Sequence, residues 1–237
     1  MRNAKIAIGA VVALVVLAVG GTWVYINVIK DDAPEKLSLD DTSTTTAAAT
    51  GDSTTTAPTG SPGTATDGDW SATGESVVGY RAKEVLFGQS TEGVGRTSKV
   101  TGKMTISGTS VDTASFEVDM TSLESDESNR DNQFNGRIME TSKFPTATFE
   151  LTSPIDLGSV PDDGKEITAT AAGKLTLKDR TNDVTLDITA KRSGSTVSVL
   201  TSYRVVFADW GIDDPSFGPA KVEDNALLEV KLVFQKA

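Results

Sequence analysis

The residues of this sequence whose types and spacing could do chemistry lie in one polar stretch, residues 126–131. It reads Asp-Glu-Ser-Asn-Arg-Asp, so Asp126 and Asp131 could act as a carboxylate pair in acid–base catalysis or bind a metal ion. An EF-hand calcium loop beginning at Asp131 is excluded, because its twelfth residue is Ser142 instead of Glu. The stretch also fits the start of a polar helix, where acidic residues are favoured. In that interpretation, Arg130 and Asp131 tie the helix to the rest of the fold.

The composition excludes most familiar enzyme classes, because the 237 residues contain no cysteine and no histidine. Without cysteine there is no disulfide, thiolate metal site or cysteine nucleophile. Without histidine there is no Ser-His-Asp triad, no histidine-bound zinc or haem, and no imidazole base near neutral pH. The net charge of −11 argues against nucleic acid as a partner. We therefore expect a protein that is not an enzyme and that needs no cofactor.

The elements that must position these residues are β-strands. In residues 173–192, Leu175 and Leu177 alternate with polar residues, a polar turn follows at 179–183, and the alternation resumes at Val184. Alternation on both sides of a turn predicts an antiparallel hairpin with one apolar and one polar face. The same pattern recurs after residue 68, interrupted by one short helix within 125–139. Strands are expected at residues 77–87, 100–106, 114–120, 147–152, 167–177, 184–190, 197–207 and 226–234.

These strands predict an all-β fold. About eight antiparallel strands without a βαβ unit are expected to close into an up-and-down barrel, because closure removes exposed sheet edges. A sandwich of two sheets is the alternative. The interior of such a barrel either is filled by its own side chains or holds one apolar ligand. The small residues Ala169, Ala171 and Gly173 favour a cavity, and Trp210 either lines its entrance or packs on the barrel end.

Residues 6–29, from Ile6 to Ile29, carry no charge and predict a single transmembrane helix. A helix of this length spans about 36 Å, which exceeds a hydrocarbon core of about 30 Å. Arg2 and Lys5 precede it, so the positive-inside rule predicts that residues 1–5 are cytoplasmic and that the C-terminal part is extracytoplasmic. A cleaved signal peptide is the alternative, although the apolar run is longer than is typical for one. Both interpretations export the remainder of the chain.

Residues 30–68 are rich in Thr, Ala, Ser and Pro and have no apolar periodicity. This composition predicts a disordered linker, because it cannot bury enough apolar surface to offset the entropy lost on ordering. A flexible coil of this length averages about 35 Å from end to end. The predicted folded domain is therefore residues 69–237.

Residues 69–237 resemble the YceI-like family of lipid- and polyisoprenoid-binding proteins. Several short pieces in the right order carry the resemblance, and each alone would be weak. They are Gly79-Tyr80-Arg81, residues 100–106, Asn129-Arg130-Asp131 with Phe134, residues 143–149, residues 173–177 with 184–186, and Asp209-Trp210-Gly211-Ile212.

The resemblance implies an extended, lipocalin-like barrel whose apolar lumen holds an isoprenoid chain. It also implies an extracytoplasmic location, and together with the membrane helix predicted at residues 6–29 it leads us to expect a membrane-anchored, extracytoplasmic binding protein for a polyprenyl lipid or a quinone. A structural or interaction module of the cell envelope, with a filled barrel and no ligand, is the alternative. The candidate ligand-binding residues are Phe116, Val118, Met120, Arg130, Phe134, Phe149, Ala169, Ala171, Leu175, Leu186, Tyr203 and Trp210.

Overall fold

The computed structural model describes residues 33–40 and 66–237. The predicted cytoplasmic segment 1–5, the predicted transmembrane helix 6–29 and most of the predicted linker 30–68 lie outside these residues. Within the two described ranges, no helix combines the length and the apolar character needed to cross a bilayer.

In the described part of the chain, twelve strand segments form one antiparallel sheet. They are β1 (Gly68–Ala72), β2 (Val77–Leu86), β3 (Gln89–Thr97), β4 (Val100–Ser107), β5 (Ser110–Asp119), β6 (Glu124–Ser125), β7 (Thr146–Leu151), β8 (Ile155–Asp156), β9 (Glu166–Leu177), β10 (Arg180–Ser193), β11 (Thr196–Val206) and β12 (Ala220–Lys236). The helical residues are α1 (Ser128–Gln133), a π-helical turn at Phe134–Ile138, and two 3₁₀ turns at Met120–Ser122 and Phe207–Trp210.

The sheet closes on itself into a barrel of eight strands. The order around the ring is β1, β4, β5, β7, β9, β10, β11 and β12, and β12 then pairs with β1. The strands β2 and β3 extend the sheet beyond β1. β2 pairs with the first part of β12, whereas β1 pairs with its last residues, and β3 pairs with the other edge of β2. The predicted closed antiparallel barrel with one short helix is confirmed, and the sandwich is not observed.

The two-residue period sorts side chains between the lumen and the outer face. On β9, Leu175 and Leu177 are buried whereas Lys174 is exposed, and the core draws inward residues from every strand of the ring. The hairpin predicted at 173–192 is confirmed, but its turn is shorter than expected. Only Lys178 and Asp179 connect the strands, and Lys178 has a φ of +54°. Positive φ in a two-residue turn matches the twist of the strands that it joins.

Strand β3 is a long element that the sequence pattern did not predict. Its inner face carries Gly93 and Gly95 instead of large apolar residues, so no apolar alternation is visible. Other side chains occupy the space above these glycines. A Cβ atom on Gly95 would lie 2.4 Å from the Tyr80 ring, and one on Gly93 would lie 2.7 Å from Nε of Arg130. β3 therefore provides room for neighbouring side chains instead of an apolar face of its own.

A buried ion-pair network lies on the outer face of β2, β3 and β12. Arg81 is 6% exposed and Glu229 is 3% exposed. Nε of Arg81 donates to Oε1 of Glu229 at 2.9 Å, and Nη1 donates to Oε2 of Glu92 at 2.7 Å. Arg96 Nη2 lies 3.2 Å from the second oxygen of Glu229. Each buried charge thus has a partner of opposite sign, as burial of ions requires.

Residues 33–40 contact this network. Nη2 of Arg81 donates to the carbonyl oxygen of Pro34 at 2.6 Å, and Arg96 donates to the carbonyl oxygen of Glu35. Lys191 on β10 pairs with Asp40 at 2.6 Å. These residues belong to the segment predicted to be a disordered linker, and they hydrogen-bond to the barrel.

We expect Arg81→Ala to lower the free energy of unfolding by about 3 kcal/mol, because it removes the closest partner of a buried carboxylate. Urea unfolding followed by tryptophan fluorescence measures the change. The matched control is Arg204→Ala, an exposed arginine on β11, for which we expect a change of less than about 0.5 kcal/mol. Equal losses for the two variants would contradict a structural role for the network.

Candidate functional site

A large cavity occupies one half of the barrel lumen. Its volume is about 880 Å³, which falls within the range of roughly 300–1,000 Å³ typical of small-molecule sites. Its walls come from β2, β5, β7, β9 and β12 and from the helical segment after β6. The lining is mostly apolar, and six of the predicted ligand-binding residues belong to it. They are Phe116, Val118, Met120, Arg130, Phe134 and Leu175.

A second, much smaller cavity of about 110 Å³ lies in the other half of the lumen. Four predicted residues line it, namely Phe149, Ala171, Leu186 and again Phe116. Ala169, Tyr203 and Trp210 line neither cavity. Ala169 and Tyr203 are half-buried against the core, and Trp210 is 1% exposed within the core. Of the two interpretations of Trp210, the geometry favours the packed tryptophan.

The aromatic pair Phe116 and Phe149 lies beside both cavities, because Phe116 lines the two of them and Phe149 lines the small one. The residues face each other across β5 and β7, and their rings stack with centroids 5.5 Å apart. The Phe149 ring reaches over Gly173 on β9, where a Cβ atom would lie 2.4 Å from it. Of the three small residues that favoured a cavity, Ala171 lines the small one, whereas the space above Gly173 is filled by the phenylalanine of the neighbouring strand.

The mouth of the large cavity is polar on one side. Tyr80 on β2 lies over Gly95 and stacks on Phe134 with ring centroids 5.1 Å apart. Burial raises the pKa of Tyr80 well above its usual range, so its hydroxyl stays protonated. The cavity lining also includes Phe217, which is 63% exposed.

Arg130 connects the helical segment to the barrel at this mouth. Its Nη2 lies 3.1 Å from Oε1 of Glu84 on β2, and its Nη1 pairs with Asp126 four residues earlier. Its side chain packs on Gly93 of β3. The inferred role of Arg130 in tying the helix to the rest of the fold agrees with this geometry.

Tyr80 and Glu84 are site residues that the sequence reasoning missed. Both lie on the inward face of β2 with Val78, Ala82 and Leu86, all of which line the cavity. The available signal was the regular alternation of this strand. It places a carboxylate among apolar residues, and an inward charge in a barrel requires a partner.

The two carboxylates suggested as a catalytic or metal-binding pair have structural partners. Asp126 pairs with Arg130, and Asp131 accepts hydrogen bonds from the backbone nitrogen and hydroxyl of Ser125 at 3.0 and 2.7 Å. Among residues 33–40 and 66–237, no group of three or more acidic side chains is arranged to hold a metal ion. The contacts of Asp126 and Asp131 order the start of α1.

We expect Gly173→Ala to destabilise the protein by about 1–3 kcal/mol, because the new methyl group overlaps the Phe149 ring and also lies 2.6 Å from the carbonyl oxygen of Glu150. Thermal or urea unfolding measures the loss. The matched control is Gly136→Ala, since a Cβ atom on Gly136 has no neighbour within 4 Å. In a Phe149→Leu background the cost of Gly173→Ala should decrease, and an unchanged cost would contradict the assignment of the clash to the ring.

Comparisons with known proteins agree on the fold. A polyisoprenoid binding domain from Saccharophagus degradans, implicated in plant cell wall breakdown, is 14% identical with a TM-score of 0.58, and the match covers 71% of this chain and 98% of that one. BcnA from Burkholderia cenocepacia is 19% identical with a TM-score of 0.50, over 66% and 95% of the two chains. None of the curated proteins matches. The YceI-like domain family matches residues 71–234, well over half of the sequence, and the chain belongs to this family.

Proposed function

We propose that this protein is a membrane-anchored, extracytoplasmic binding protein that holds an isoprenoid-type lipid, a polyprenyl lipid or a quinone, in the large cavity. The observation that carries the proposal is a largely apolar lumen of about 880 Å³ inside a closed barrel. Burial of a hydrocarbon chain there would contribute about 0.8 kcal/mol per CH₂ group. The similar fold from Saccharophagus degradans is a polyisoprenoid binding domain, which supports the same ligand class here.

The empty volume argues against the alternative of a filled barrel that acts only as a structural or interaction module. Protein interiors are packed densely, with few voids larger than a water molecule. A barrel that kept a cavity of this size and bound no ligand would lose much of the packing energy that a filled interior provides. A lipid ligand would restore those contacts.

The proposed anchor at residues 6–29 would keep the barrel beside the membrane that supplies its ligand. Residues 33–40 hydrogen-bond to the outer face of the barrel through Arg81 and Arg96. From Ile29 to Ala33 an extended chain spans at most about 14 Å. The barrel would then lie closer to the bilayer than the ~35 Å of a free linker suggests, which would shorten the path of an exchanging lipid.

Native mass spectrometry of the full-length chain, purified in mild detergent, tests the proposal. We expect the wild-type protein to retain an isoprenoid lipid, or to take one up from a mixture of quinones and polyprenols. Ala226→Trp should lower this binding, because Ala226 lines the large cavity and the indole occupies part of it.

The matched control is Ala172→Trp, which places the same side chain on the exposed face of β9. This variant should bind lipid as the wild type does. A wild-type protein that never binds more lipid than Ala226→Trp would overturn the proposal and favour the interaction module.

A further inference from the structure

We infer that the large cavity takes a lipid with a neutral, hydrogen-bonding head group, such as an alcohol or a quinone, and disfavours a lipid that carries a phosphate. The inference rests on the proposed function and deepens it. It concerns the polar mouth, defined here as Tyr80, Glu84, Glu127 and Arg130, all of which line the cavity.

The charge balance of the polar mouth is negative. Of the described residues that line the cavity, Arg130 is the only basic one, and Glu84 and Glu127 are acidic. Asp126, which pairs with Arg130, adds a further carboxylate at the edge. A phosphate would bring one or two more negative charges into partly apolar surroundings, where like charges repel more strongly than in water.

Arg130 does not offset this repulsion, because its guanidinium is already engaged. Arginine binds phosphate well when its planar fork is free to make paired hydrogen bonds. Here Nη2 contacts Glu84 at 3.1 Å, and Nη1 contacts Asp126 and lies 3.5 Å from the Ser125 hydroxyl. A phosphate would have to displace a carboxylate from the guanidinium and leave that carboxylate without its cation.

The Tyr80 hydroxyl provides what a neutral head group needs. Within the part of the chain that the structure describes, it makes no hydrogen bond, although Tyr80 lines the cavity. The ring is held in place by Gly95 beneath it and by Phe134, on which it stacks. A protonated hydroxyl donates a hydrogen bond to the oxygen of an alcohol or a ketone without requiring charge from the ligand. The position beside the Arg130–Glu84 pair places a head group at the mouth and the chain in the apolar lumen.

A competition experiment with two chain-matched probes tests the inference. The full-length protein in detergent is incubated with equal amounts of geranylgeraniol and geranylgeranyl monophosphate, free lipid is removed, and the bound lipids are extracted and quantified. Detergent micelles without protein give the background. We expect the amount of bound alcohol to exceed that of bound phosphate by about tenfold or more in wild-type protein.

Binding of the phosphate as well as, or better than, the alcohol would overturn the inference and leave the proposed function standing. Binding of neither probe above background would overturn both.

Two carboxylate variants test the residues to which the selectivity is assigned. Glu84→Gln keeps the shape of the side chain and removes one negative charge from the mouth, so the ratio of alcohol to phosphate should fall severalfold. The matched control is Glu117→Gln, an exposed carboxylate on the outer face of β5 that lines neither cavity. Equal ratios for the two variants would overturn the assignment to Glu84 and Arg130.

A third variant tests the hydrogen bond of Tyr80. Tyr80→Phe keeps the ring and its stacking on Phe134 but removes the donor. We expect it to lower the binding of geranylgeraniol about fivefold and to leave the binding of squalene, a hydrocarbon without a head group, unchanged. An equal loss for both probes would reduce Tyr80 to a packing residue and overturn its assignment as the donor.

Discussion

Closure of the barrel depends on the pairing of one strand, β12, on both of its sides. Over its 17 residues it pairs with β11 along one edge and with β2 and then β1 along the other. An unpaired edge of this length would expose a row of backbone donors and acceptors. Where β1 and β2 are interrupted, the backbone of Val233 is still satisfied, because Thr73 donates to its carbonyl at 2.7 Å and its nitrogen donates to the Ser76 hydroxyl at 3.0 Å. Apart from a register shift between Val222 and Ala226, this seam closes the barrel around the lumen.

Within the closed barrel, glycines make room for the bulky side chains that line the lumen. Gly173 accepts the Phe149 ring beside the small cavity, and Gly95 and Gly93 accept Tyr80 and Arg130 at the mouth of the large one. Each of these glycines faces a bulky side chain from a neighbouring element. The glycine has no side chain, so the bulky one occupies the space at both positions. The result is an apolar lumen that contains the stacked pair Phe116 and Phe149 and has a polar mouth. Such an arrangement can tell the head of an amphipathic ligand from its tail.

The buried charged groups form two separate networks, one on the outer face of the barrel and one inside it. Outside the barrel, two arginines, Arg81 and Arg96, neutralise two carboxylates, Glu92 and Glu229. The two arginines also hold residues 33–40 against β2 and β3. Inside, Glu84 on β2 pairs with Arg130 of the helical segment, which keeps that segment over the cavity. Strand β2 therefore places one charged side chain, Arg81, on the outer face and another, Glu84, on the inner face. Each is tolerated because it pairs with a group of opposite charge.

The sequence by itself determined the fold class, the hairpin at 173–192 and four residues that line the large cavity, Phe116, Val118, Met120 and Leu175, since two-residue periodicity states which side chains face inward. The family, and with it the lining residues Arg130 and Phe134, came from the resemblance of short motifs. It did not reveal β3, because an inner face built from Gly93 and Gly95 has no apolar period. Nor did it reveal that Phe149 fills the space above Gly173 or that Trp210 packs away from both cavities. These outcomes depend on which strands become neighbours and in what register, and a single residue of register moves every side chain to the opposite face. Pairing between distant strands, and therefore the division of the lumen and the charge balance of its mouth, was decided only by the tertiary structure.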